Sequence, residues 1–173
     1  MKSGVPKLPE MKLTLTLFLI LLACRALEGA RYEDPNHRLS LEYDDSLWEP
    51  VEVSDSRTLV TLQRKIADDK YHARFSVVVD DLKKFDKKGQ NLRQAYLSHA
   101  VDFLKKQRFQ NVTVTDRGQG FSIIANQRDF GLTFRQVIMF QKNQAFLVTA
   151  AARTAKFKEY EKELQPLFDS LSF

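Results

Sequence analysis

The chain has 173 residues, a net charge of +5 at pH 7 and a single cysteine. That is one domain's worth of protein, and it argues against a multidomain enzyme, an internal disulfide or a thiolate-rich metal centre. At 43% hydrophobic and 28% charged residues, with 6 Gly and 5 Pro, it is too apolar for a disordered chain and too poor in Gly and Pro for a fibrous one.

Met11-Lys12 precedes an uncharged apolar run, Leu13 to Cys24, too short to cross roughly 30 Å of hydrocarbon and therefore expected to be the apolar region of a signal peptide. Residues 1–10, with Lys2, Lys7 and Glu10, make an unusual leader, and Met11 is the more ordinary start. Leu21-Leu22-Ala23-Cys24 is similar to a bacterial lipobox, so residues 1–23 are expected to be removed and Cys24 to be lipidated. The alternatives are plain secretion, with cleavage further on after Ala26, and a cytosolic chain that buries this run as an internal helix. Of the 27 basic and 22 acidic residues, three Lys and one Glu precede Cys24, leaving a net +3. So small an excess, without a helix-turn-helix, zinc-finger or aromatic RNA-binding motif, predicts no nucleic-acid partner.

Residues 24–36 read as a lipidated tether and 37–173 as a single domain. Arg31 to Asn36, holding Glu33, Asp34 and Pro35, closes the tether. His37 to Tyr43 alternates polar and apolar residues and predicts a strand; Asp44-Asp45-Ser46 turns the chain, and Leu47 and Trp48 return to the core before Pro50. Thr58 to Gln63 and Ala73 to Val79 predict two more strands around the polar loop Asp68-Asp69-Lys70. Lys83 to Gly89 is a charged loop. Asn91 stands as an N-cap, with Gln94 three residues on, before a helix whose apolar stripe is Leu92, Ala95, Tyr96, His99, Ala100, Phe103 and Leu104. Val112 to Thr115 and Phe121 to Ala125 predict strands flanking the turn Asp116 to Gly120. Phe130 to Gln141 and Ala145 to Ala152 predict a hairpin with Asn143 in the left-handed turn position. Thr154 then caps a last helix whose inward residues are Phe157, Tyr160, Leu164, Phe168 and Leu171, with a break or kink expected at Pro166. The fold class is α+β: a mainly antiparallel sheet of about six or seven strands sandwiched between helices.

The opening strand leading to an aromatic (Leu39 to Tyr43, then Trp48), the helix around Leu92 to Phe103, the hairpin Thr133 to Thr149 and the closing Tyr160 to Phe173 together resemble the PsbP-like superfamily. That superfamily includes the extrinsic photosystem II proteins, the Ran-binding Mog family and the bacterial DcrB-like envelope lipoproteins. The resemblance covers roughly His37 to Phe173 and implies an α-β-α sandwich used as a non-catalytic binding or assembly module. The signal and lipobox make the DcrB-like lipoproteins the nearest in character. No photosystem or Ran-binding residue is carried over.

Chemistry is sparse. There is no G-x-S-x-G elbow, and the histidines His37, His72 and His99 are the residues suited to proton transfer near neutral pH. His99 is expected at the edge of the core, bonded to backbone, and His37 and His72 solvated. Asp68, Asp69 and His72 carry ligand atoms at close spacing but match no metal motif, and no phosphate loop follows a strand. No metal and no cofactor is predicted. Lys83, Lys84, Lys87 and Lys88, with Phe85 among them and Lys105, Lys106 and Arg108 as neighbours in space, could orient the domain on anionic lipid. Asn111-Val112-Thr113 fits a glycosylation sequon and is read as a strand pattern. The expected function is a lipid-anchored cell-envelope protein, facing the periplasm or the cell exterior, whose non-catalytic domain binds a membrane-associated protein partner. A small secreted hydrolase using a histidine base and a carrier of a small apolar ligand are the alternatives.

Overall fold

The structure is a computed structural model and describes residues 29–68, 70–85 and 91–173. The signal segment, Cys24, Asp69, Lys87 and Lys88 lie outside the described residues. The element order is β1 (Ala30–Asp34), β2 (Leu39–Tyr43), β3 (Trp48–Pro50), β4 (Thr58–Arg64), β5 (Arg74–Asp81), α1 (Leu92–Lys106), β6 (Gln110–Asp116), β7 (Gly120–Gln127), β8 (Leu132–Gln141), β9 (Gln144–Arg153) and α2 (Thr154–Ser170). β3 to β9 form a seven-stranded antiparallel sheet in the order β3-β4-β5-β9-β8-β7-β6, and β1 and β2 form a separate hairpin. The fold is α+β, as the element pattern predicts.

The two-residue period of the central strand β9 builds both cores. Phe146, Val148, Ala150 and Ala152 pack with Leu39, Leu41, Trp48, Phe75 and Val77, and with Tyr160, Leu164 and Leu167 of α2. Ala145 and the intervening Leu147 join Ile123, Ile138 and, from α1, Tyr96, Ala100 and Leu104. One helix therefore lies on each face of the sheet, with the β1–β2 hairpin on the α2 side.

Five local expectations change. The stretch Arg31 to Asn36 contributes β1, paired from Ala30↔Tyr43 to Asp34↔Leu39, because Tyr32 packs on the core and donates its hydroxyl to the Leu59 carbonyl at 2.6 Å. In the β8–β9 hairpin the positive φ falls on Lys142 (53°), since the pairing Gln141↔Gln144 leaves a two-residue turn that Lys142 opens. Thr154 is the first residue of α2, and Arg153 at the cap position makes no side-chain capping bond. Pro166 lies inside α2 without ending it. Asn111 has φ 52° where the β6–β7 register shifts between Gln110 and Thr113, so it sits in a bulge.

Two turns follow the prediction. Asn91 caps α1, its Oδ1 accepting from the N–H groups of Arg93 (3.1 Å) and Gln94 (3.3 Å), and Gly118 takes φ 75° between β6 and β7.

A candidate binding cleft between helix and sheet

α1 covers the sheet face unevenly. Its buried side is Tyr96, Ala100 and Leu104, with Leu92, Leu97 and Val101 partly buried against the same core. The stripe is thus rotated from the predicted one: His99 is exposed and Phe103 is 55% exposed. Between this helix flank and the strands opens a cleft of about 370 Å³.

Its walls are apolar. Phe103 and Leu104 come from α1, Phe109 from the residues after it, Phe134 from β8 and Leu147 from β9. Phe109 and Phe134 meet with ring centroids 5.4 Å apart.

Its floor is polar where the helix does not reach. Antiparallel register sets Gln136 opposite Thr149, Thr149 opposite Ser76 and Ser76 opposite Thr61, a row of polar side chains across β8, β9, β5 and β4. Gln136 and Thr149 line the cleft. The Gln136 Nε2 donates to Thr149 Oγ1 at 3.0 Å, and no other described group bonds this amide, although Gln136 is only 8% exposed.

At one end the charges are mutually paired. Asp80 accepts from Arg57 Nη1 at 3.0 Å and from the Tyr96 hydroxyl at 2.5 Å, and Arg57 also bonds Asp55 at 2.9 Å. Burial, then the hydrogen bond to Asp80 and its charge, push the Tyr96 phenol far above its ordinary pKa. It remains a neutral donor.

The histidines are dispersed. His99 stands at the cleft rim, its ring 5.0 Å from that of Phe85, and no described group hydrogen-bonds it. His37 and His72 are partly buried rather than solvated. His37 Nδ1 lies 3.2 Å from Asp34 Oδ2 in the β1–β2 turn, and His72 Nδ1 donates to the Arg64 carbonyl at 2.6 Å. Asp68 accepts from the Tyr160 hydroxyl, whose pKa burial and that bond push up to about 12. Among the described residues no three His, Cys, Asp or Glu side chains are placed to hold a metal ion.

The lysine loop is only partly in view. Lys83 and Lys84 are exposed, but Phe85 turns inward, edge-to-face on Tyr96 at 4.9 Å, and is half-buried on the α1 core instead of standing out toward a membrane. Lys105 and Lys106 close α1 at its far end, about 20 Å along the axis from its start at 1.5 Å per residue. No helix among the described residues is long and apolar enough to cross a membrane.

Sequence reasoning singled out His99 and Phe85 near this cleft and missed Gln136, Phe103 as an exposed wall, and the Arg57–Asp80 pair. The available signal was Gln136 itself, an amide at an otherwise apolar alternation in β8.

No protein-family model matches the sequence, and no curated protein matches it. Solved structures do. Cyanobacterial PsbP (CyanoP) from Synechocystis sp. PCC 6803 superposes with a TM-score of 0.59 at 10% identity, covering 84% of this chain and 93% of that one. LpqN of Mycobacterium tuberculosis, described as involved in cell envelope biogenesis, gives 0.50 at 11% identity over 83% of this chain and 84% of that one. A protein from Bacteroides thetaiotaomicron gives 0.50 at 15% identity, covering 84% of this chain and 48% of its own. At these identities the likeness is one of fold.

Proposed function

Taking the PsbP-like fold of this chain as the premise, we propose that it is a non-catalytic binding domain working at the cell envelope, held to a membrane through a lipid on Cys24. The observation that carries the binding role is the cleft beside α1, where an exposed phenylalanine and a buried, half-bonded amide face the same space. The location is supported by the apolar leader ending in the chain's only cysteine, and by the fold shared with an envelope-biogenesis protein. The dispersal of the histidines favours binding over catalysis, because a base needs a nucleophile beside it and a third group to orient it.

The leading reading gives the domain a membrane-associated protein partner. Crosslinking the native protein in its membrane, followed by pull-down and mass spectrometry, should return a diacylglycerol-modified Cys24 peptide together with a reproducible partner. Unmodified protein beginning after Ala26 overturns the anchor. The apolar walls of the cleft favour a second reading, a carrier of a small ligand.

A further inference from the structure

Resting on the carrier reading of the cleft, we propose that it binds a small, neutral aromatic molecule with a hydrogen-bonding edge. Size comes first: about 370 Å³ lies within the range of small-molecule sites, toward its lower end.

The walls select for rings. Phe109 and Phe134 meet at 5.4 Å with a 56° tilt, and Phe103, 55% exposed, extends this aromatic surface with no ring among the described residues laid against it. A planar ligand set among them continues the offset and tilted packing that aromatic groups favour.

The floor asks for a hydrogen bond. Gln136 is 8% exposed, one end of its amide bonds Thr149, and no described group bonds the other. The unbonded oxygen is not sealed off from solvent but opens onto the cleft, so a ligand N–H or hydroxyl placed there takes over a bond otherwise made to water. Since the end left unbonded is the amide oxygen, an acceptor, it suits an N–H or hydroxyl edge.

Charge selects against ions. Arg57 and Asp80 already bond each other at 3.0 Å, and His99, the other ionisable residue of the lining besides Tyr96, stands at the solvent-exposed rim rather than among the aromatic walls. A charged ligand would lose its hydration without an unpaired counter-charge from that pair.

The test is fluorescence titration of the full chain with N-phenyl-1-naphthylamine, a neutral two-ring probe with one N–H donor, alongside 1-phenylnaphthalene, which lacks the donor. Saturable binding of one probe per chain is expected, weakened about tenfold or more by Phe103→Ser and left unchanged by Phe130→Ser, an exposed residue outside the cleft lining. Wild-type protein should prefer the N–H probe severalfold, and Gln136→Leu should abolish that preference. The preference is a ratio, so a general loss of folded protein does not mimic it.

Equal behaviour of the two phenylalanine variants overturns the site. An unchanged preference in Gln136→Leu overturns the hydrogen-bonding edge, and displacement of the probe by dodecanol at concentrations below the probe's own Kd overturns the aromatic class. The envelope reading fails separately, by an unmodified Cys24.

Discussion

Asp34 orders the turn between β1 and β2 by accepting from the N–H groups of Asn36 at 2.8 Å and His37 at 3.1 Å. Burial raises its pKa, but the bonds from His37 and Asn36 outweigh that and hold the carboxyl below the usual carboxylate range. Asp44 is held down likewise, first by the Ser46 hydroxyl and then by the Ser46 N–H. A depressed folded pKa means that the folded state binds protons less tightly than the unfolded chain. The stability so contributed is present above the ordinary carboxylate pKa near 4 and disappears as pH falls through the folded values. Thermal midpoints should therefore drop between pH 5 and pH 2, and the drop should be shallower in Asp34→Asn. Tyr96 offers a second check: Tyr96→Phe removes a bond to a charged, mostly buried acceptor and should cost about 1.5–3 kcal/mol in urea denaturation. The alternation of β8 gives the face on which Gln136 lies, but not its partner. That pairing exists because β9 lies beside β8 in one register, which sets Thr149 opposite it.

Helix α1 shows how far pattern reading reaches. Its start is local chemistry, one Asn side chain satisfying two orphan N–H groups, and Asn91→Ala should lower stability by about 1 kcal/mol in chemical denaturation. Its inward face is not local. A stripe running through Ala95, His99 and Phe103 and one running through Leu97 and Val101 are rival rotations of the same sequence, and contact with the sheet selects the second. Neighbouring strands impose similar limits. A Cβ built on Gly120 would lie 2.0 Å from the Ile138 carbonyl oxygen, so the glycine permits the close approach of β7 and β8. Gly120→Ala should cost about 3 kcal/mol or more, or prevent folding, as read by circular dichroism. The sequence marks Gly118 and Gly120 alike as turn residues, and only the pairing separates a positive φ from a steric requirement.

Across the domain, the proposed membrane orientation rests on Lys83 and Lys84, which are exposed, and on Lys87 and Lys88. On that proposal each would contribute about 1 kcal/mol near anionic headgroups. Reversing all four charges should reduce partition of the full chain onto phosphatidylglycerol vesicles, with salt masking the difference, whereas unchanged partition discards the orientation. Phe85 has no part in it, since its ring is packed on Tyr96. Most of the architecture was legible in advance: β2, β4 to β9, both helices, the antiparallel α+β class and the PsbP-like likeness, whereas the short edge strand β3 was read only as Leu47 and Trp48 returning to the core. Alternation with period two, a helical stripe and turn residues are properties of neighbouring residues in the chain, and they act before any tertiary contact forms. The strand in Arg31 to Asn36 was hidden because its polar alternation is shallow, and its pairing with β2 and the anchoring of Tyr32 on Leu59 supply what its own sequence lacks. The cleft was hidden for the same kind of reason. Phe103, Phe134, Gln136, Leu147 and Thr149 belong to three elements, and only the rotation of one helix and the register of two strands bring them around one space.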